Sequence, residues 1–156
     1  MSNLTIACIG KLKEKYWKDA QAEYTKRLSA FCRISIVEKN EAPLQKDASE
    51  ALILKAQEQE GQALLSANRG TLIALSPKGE QMDSQRFSSL VKKLNDSGDF
   101  TFAIGGSYGL SDAVKKSARH IISFSELTLP HQLFRIVLLE QIYRGFMIAA
   151  GRTYHK

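Results

Sequence analysis

The chain has little cysteine, no long uninterrupted apolar run and neither of the common glycine fingerprints for nucleotides, and each lack removes a class of function. Two cysteines in 156 residues, Cys8 and Cys32, make no disulfide framework. Both fall in or beside expected strands, and His120, His131 and His155 are scattered, so no spacing suits zinc. They are read as buried, reduced thiols, and no metal is expected. The N-terminus, Met1-Ser2-Asn3-Leu4-Thr5-Ile6-Ala7-Cys8, lacks a basic segment followed by an apolar core and a cleavage site, and no uncharged stretch is long enough to span a bilayer. The expectation is a cytoplasmic protein with no membrane attachment. No G-x-x-x-x-G-K-[ST] loop occurs. Gly105-Gly106-Ser107-Tyr108-Gly109 lacks the G-x-G-x-x-G order and follows the fourth expected strand, which disfavours a dinucleotide site. With no repeat, low-complexity tract or linker, residues 1–156 read as one domain.

What is present is an ordinary globular composition, 44% hydrophobic and 24% charged, with a formal net charge of +6. That excess, with a sequence pI near 9.4, favours a polyanionic partner. Strand-like and helix-like patterns alternate from end to end. Residues 4–9 read as a strand. Trp17, Ala20, Tyr24, Leu28 and Phe31 keep helical spacing, and residues 34–37 return to strand. A polar loop with Pro43 precedes a helix over 49–67, in which Gly61 costs roughly 1 kcal/mol against alanine. The third strand, 71–75, is expected to end in a turn at Ser76-Pro77-Lys78-Gly79, and Asp83 or Ser84 to cap the next helix. Strands at 100–104 and 121–124 flank a short helix over 111–119. A last helix after Pro130 carries apolar residues around more than one side, so it must bury a second face, for which another copy of the chain is the simplest partner. Glu140 and Arg144 on it are spaced to pair.

Two strand ends draw attention. Ile104 breaks off into Gly105-Gly106-Ser107-Tyr108-Gly109, and Phe124 into Ser125-Glu126-Leu127-Thr128-Leu129-Pro130-His131. In open parallel sheets ligands bind beyond the carboxyl ends of strands, where glycine permits close approach of backbone.

Taken with Leu72-Ile73-Ala74-Leu75, Gly10-Lys11-Leu12-Lys13-Glu14-Lys15-Tyr16-Trp17, Gln141-Ile142-Tyr143-Arg144 and the terminal Tyr154-His155-Lys156, these segments resemble the ribosomal large-subunit pseudouridine N3-methyltransferase family of the SPOUT superfamily. The resemblance implies an α/β fold: a parallel sheet with helices on both faces, and a C-terminal part, about 71–156, tied in a trefoil knot. It implies S-adenosylmethionine held bent in the knot, a homodimer sharing its active sites, and methylation of pseudouridine 1915 in 23S ribosomal RNA of the large subunit or assembled ribosome. Carried over by position, the cofactor contacts fall on Leu75, Gly105, Gly106, Ser125, Glu126, Leu127, Thr128, Leu129 and Pro130. Backbone groups of Leu127 and Leu129 would meet the adenine while Gly106 leaves room for it.

Methyl transfer from a sulfonium needs alignment of donor and acceptor and removal of the N3 proton of the base. His131 and His155 are the histidines near the expected site, with Tyr154 and Arg144 to orient the base, and these four form the candidate catalytic set. Arg119, Arg135, Arg144, Arg152, Lys156 and the lysines at 11, 13, 15 and 18 are candidate phosphate contacts. Two rival readings remain open: a ribosome-binding protein without catalysis and, less favoured, a nucleotide-dependent oxidoreductase.

Overall fold

A computed structural model describes residues 1–154, and among them the expected alternation becomes ten elements. They are β1 (Asn3–Ile9), α1 (Lys15–Leu28), β2 (Arg33–Lys39), α2 (Glu50–Ala67), β3 (Thr71–Gln81), α3 (Ser84–Ser97), β4 (Phe100–Ile104), α4 (Asp112–Ser117), β5 (His120–Ser123) and α5 (His131–Ala149). The strands form one parallel sheet in the order β2-β1-β4-β3-β5.

Side chains alternate across a strand, so a sheet covered on both faces needs apolar residues at successive positions. Leu4, Ile6, Cys8, Ile73, Phe100, Phe102 and Ile122 point to one side, where α3 contributes Phe87 and Val91 and α5 contributes Leu138, Leu139, Ile142 and Phe146. Ala7, Ile9, Leu72, Ala74 and Ala103 point to the other, against Leu64 of α2 and Val114 of α4. Each large side chain fully buried here stabilises the fold by about 1.5–3 kcal/mol.

Sequence cues at the helix ends hold. The side chains of Ser49, Asp83 and Ser111 accept from the amides of Leu52, Arg86 and Val114, and Gly98, at φ +131°, stops α3. Helix α2 runs unbroken through Gly61. A Cβ there would collide with the Ser111 hydroxyl, so glycine sets the close crossing of α2 and α4.

The turn expected at 76–79 is corrected. Strand β3 continues to Gln81 through an irregularity, with both Leu75 and Glu80 in register with Ile122 of β5. Any Cβ on Gly79 would lie 2.6 Å from the Ile122 carbonyl carbon, so the glycine admits the backbone contact that keeps the strand going past Pro77. Strand β5 and helix α4 also begin or end a residue or two from their expected limits, as element ends commonly do.

Candidate functional site

Helix α4, which follows β4, packs on the α2 side of the sheet, while α3 and α5, which follow β3 and β5, pack on the opposite side. That switch opens a crevice at the carboxyl ends of the central strands. A cavity of about 320 Å³ lies there, lined by the ends of β3, β4 and β5 and the start of α5. Leu75, Gly105, Gly106, Ser125, Leu127, Thr128, Leu129 and His131 all border it. Glu126 and Pro130 are exposed members of the same loop outside the lining. Ser76 and Pro77 join the wall because the β3 irregularity places them there. Phe124 and Phe134 close it with an edge-to-face contact, their ring centroids 5.4 Å apart. None of these four was singled out for the site from sequence, although Phe124 and Phe134 were placed in a strand and a helix that meet here.

The glycine pair acts differently from expectation. A Cβ on Gly106 would point back into the protein, 3.0 Å from Glu60 Oε1 and 3.1 Å from Ile9 Cγ2, and one on Gly105 would lie 2.8 Å from the Gly109 carbonyl carbon. Both glycines therefore let the loop sit tightly on α2 and on itself, and only Gly109 takes a left-handed φ, +80°. Beneath them, Glu60 is 6% exposed. Its Oε2 accepts from the Ala42 amide at 2.9 Å and its Oε1 has no partner. Burial pushes its carboxyl above the usual range, with Glu41 adding to the rise and the Ala42 N–H opposing it. The Leu127 N–H donates to Ser125 Oγ at 2.9 Å.

Arg135 is a second correction. It is 1% exposed, and its guanidinium donates to Glu38 Oε2 at 2.6 Å, Gln21 Oε1 at 3.1 Å and the Gly10 carbonyl at 3.2 Å. A side chain so enclosed cannot meet phosphate; it ties the end of β1 to α5. The Leu12 amide donates to Glu38 and the Lys13 amide to Gln132 Oε1 at 2.8 Å, so the loop after β1 is strapped beside His131. Lys11, Lys13, Lys15, Lys18, Arg119 and Arg152 remain exposed. The Cys8 and Cys32 thiols are buried, which raises them to about 11 and about 12.

Arg144 and Tyr154 are not brought to this cavity. Arg144 stands 13 residues beyond His131 on α5, which at 1.5 Å per residue is roughly 20 Å. There Glu140 collects its neighbours: Oε1 accepts from Arg144 Nε at 2.8 Å, and Oε2 from the hydroxyls of Tyr154 at 2.8 Å and Tyr24 at 3.0 Å. His155 and Lys156 lie outside the described residues.

A second cavity, about 390 Å³, adjoins the first and is bordered by Met82, Phe87, Phe124, Leu129, Val137 and Gln141. Leu133, Ile136, Val137, Met147 and Ile148 of α5 stay partly exposed. Among the described residues no His, Cys, Asp and Glu cluster suits a metal ion, and no helix is long and apolar enough to cross a membrane.

Comparison with known proteins covers nearly the whole chain. Residues 2–155 match the family model described as predicted SPOUT methyltransferase. The chain is 49% identical over 158 residues to ribosomal RNA large subunit methyltransferase H of Lactobacillus acidophilus, covering 99% of each. It is 48% identical over 157 residues to the protein of that name in Streptococcus uberis, covering 98% of this chain and 99% of that one. Among solved structures, a probable methylase family protein from Haemophilus influenzae aligns with TM-score 0.56 at 12% identity, covering 98% of this chain and 70% of that one. A probable methyltransferase from Bordetella pertussis aligns with TM-score 0.56 at 13% identity, covering 92% and 94%. Identities that low speak for a shared fold alone.

Proposed function

The chain belongs to the SPOUT methyltransferase family, and from that premise we propose that it transfers the methyl group of S-adenosylmethionine to N3 of pseudouridine 1915 in 23S ribosomal RNA. It does so in the cytoplasm as a homodimer, on the large subunit or the assembled ribosome. The whole chain, 1–156, works as one unit, with the cofactor part and its trefoil knot in about 71–156. The observation that carries this reading is the cavity at the ends of β3, β4 and β5, in a chain aligned end to end with relatives named as ribosomal RNA methyltransferases.

The residues present fit the cofactor. About 320 Å³ lies within the range of small-molecule clefts, and Leu75, Ile104 and Leu129 offer apolar walls for a purine while Ser125, Thr128 and loop backbone offer polar contacts. Bound there, S-adenosylmethionine supplies a methyl group already activated on a sulfonium. The protein's part is alignment and proton removal. Leu75, Gly105, Gly106 and the 125–130 loop hold the adenosyl moiety, and His131, on the same cavity wall, is positioned to accept the N3 proton. Arg144, Tyr154 and His155 orient the target base. Because Arg144 sits roughly 20 Å along α5 from His131, and Tyr154 packs against Arg144 and bonds to Glu140, these two serve the cavity of the partner subunit. The second face of α5, around Val137, is the surface that seats the partner, and the exposed Lys11, Lys13, Lys18, Arg119 and Arg152 meet RNA phosphates.

Incubating the protein with labelled S-adenosylmethionine and ribosomes lacking the modification, followed by mass spectrometry of 23S RNA fragments, tests this. A single added methyl at pseudouridine 1915 is expected. No methylated RNA together with no binding of S-adenosylmethionine in titration calorimetry would favour the ribosome-binding alternative.

A further inference from the structure

One carboxylate at the middle of α5 organises the segment that folds back on that helix. Glu140, with a side chain 20% exposed, accepts three hydrogen bonds, from Arg144, Tyr154 and Tyr24. Tyr24 is the outlier of the three. It belongs to α1, 116 residues earlier in the chain, and does not border the cofactor cavity. Its ring begins a row of aromatics: Tyr24 to Tyr143 at 6.4 Å between centroids and Tyr143 to Tyr154 at 5.1 Å. The Arg27 guanidinium covers the first two rings at 5.7 and 5.6 Å, and that of Arg144 covers Tyr154 at 4.8 Å. A chain end without such contacts frays, whereas here both the ring and the hydroxyl of Tyr154 are engaged.

We infer that Tyr24 is a positioning residue for methyl transfer: through Glu140 it locks Tyr154 and Arg144 into one preformed surface on the C-terminal half of α5. The inference rests on the reading that this surface serves the partner's cavity. Glu140 has several rotamers, and three donors from two helices and the tail select one of them. Without the Tyr24 hydroxyl, Oε2 keeps a single neutral donor and no bond to α1, so the carboxylate and the tyrosine beyond it regain freedom. Hydrogen bonds to an ionised acceptor are the strong ones, which makes this carboxylate an effective hub. Burial, with Glu140 adding to it, raises Tyr24 to about 12 and pushes Tyr154 upward too, so both hydroxyls stay protonated donors through the physiological range.

Tyr24→Phe keeps the ring and removes only the hydroxyl, so it separates positioning from packing; Glu140→Ala is the second variant. In the full-length protein, native-state trypsin cleavage after the exposed Arg152 reports how firmly the tail is held. Release of the terminal fragment, followed by mass spectrometry, is expected to accelerate roughly 10-fold in Tyr24→Phe, the equivalent of one lost hydrogen bond to a charged acceptor, and further in Glu140→Ala. On ribosomes, kcat for Tyr24→Phe is expected to fall by about the same factor, with KM for S-adenosylmethionine unchanged. Unaltered cleavage in both variants overturns the latch. Faster cleavage with unaltered kcat overturns the positioning role. A tail deletion from Arg152 onward then tells which argument failed: if it abolishes turnover, only the role of Tyr24 falls, and if it does not, the catalytic reading of the tail falls with it.

Discussion

The two ends of α5 treat charge in opposite ways. At its N-terminal end the ionic groups are directed inward: Arg135 is enclosed and bound to Glu38 and the Gly10 carbonyl, and Glu60 is buried with one donor and one bare oxygen. The cavity wall there is mostly backbone and apolar side chain. From its midpoint onward Glu140 is half-buried and fully engaged, and arginines lie across the faces of aromatic rings. On the proposed reading the first region holds an apolar, flat ligand and the second presents charged and stacking groups to a partner chain. Roughly 20 Å separates His131 from Arg144 along the helix, so on the proposed reading chemistry that needs both regions draws them from two chains.

The sharpest way to break that division is to delete Arg152 to Lys156. Turnover on ribosomes is expected to fall on the order of 10³-fold, the scale of lost acid–base and orienting groups, with cofactor affinity in titration calorimetry within a few-fold of the intact protein. Near-normal turnover would leave the catalytic groups to be sought at His131 and Arg144. Gly106→Val attacks the other end. Its branched side chain presses on Glu60 and Ile9, so the loop must shift: cofactor affinity is expected to drop about 100-fold, together with about 1–3 kcal/mol of stability seen in denaturant unfolding, the usual cost of overpacking. Unchanged affinity would remove the glycine loop from the site. Val137→Glu, on the face between the ends, would bury an unpaired ion on assembly. Light scattering is expected to show dimers giving way to monomers at micromolar concentration, while the unaltered protein stays dimeric.

The smallest effect compares the two carboxylates. The carboxyl of Glu60 is raised in the fold, so its ionised form costs the native state at pH above its folded pKa, and the cost disappears below the unfolded value. Glu60→Gln is therefore expected to stabilise the protein at pH 8, with the gain fading toward pH 4. Glu140→Gln, which loses its charge beside Arg144, is expected to give no such gain in the same thermal melts.

Much of this is legible in the sequence. Every strand and helix has its counterpart there, although β3 runs past its expected end, and the strand-end loops at 105–109 and 125–131 do border one cavity. What escaped depends on contacts distant in sequence. Pro77-Lys78-Gly79 carries local turn chemistry, and only the neighbouring β5 backbone makes it part of a strand. Arg135 looks like any surface arginine on a polar stripe until Glu38, Gln21 and Gly10, all more than 90 residues away, enclose it. Gly61 reads as a weakness in α2 and turns out to fit the α4 cap. Likewise, the pairing of Arg144 with Glu140 was visible in their spacing, but the third donor, Tyr24 on α1, had no local signal at all.

The claim that the cavity of one chain works with the tail of another is tested most directly by mixed dimers. A chain carrying Gly106→Val is paired with a chain lacking Arg152 to Lys156, the heterodimer is isolated through two affinity tags, and methyl transfer to ribosomes is measured against both parent homodimers. Each parent has lost every complete site, whereas the heterodimer keeps one intact cavity facing one intact tail, so it is expected to recover about half the activity of the unaltered dimer. A heterodimer as inactive as its parents would show that cavity and tail must belong to the same chain, and would contradict the account.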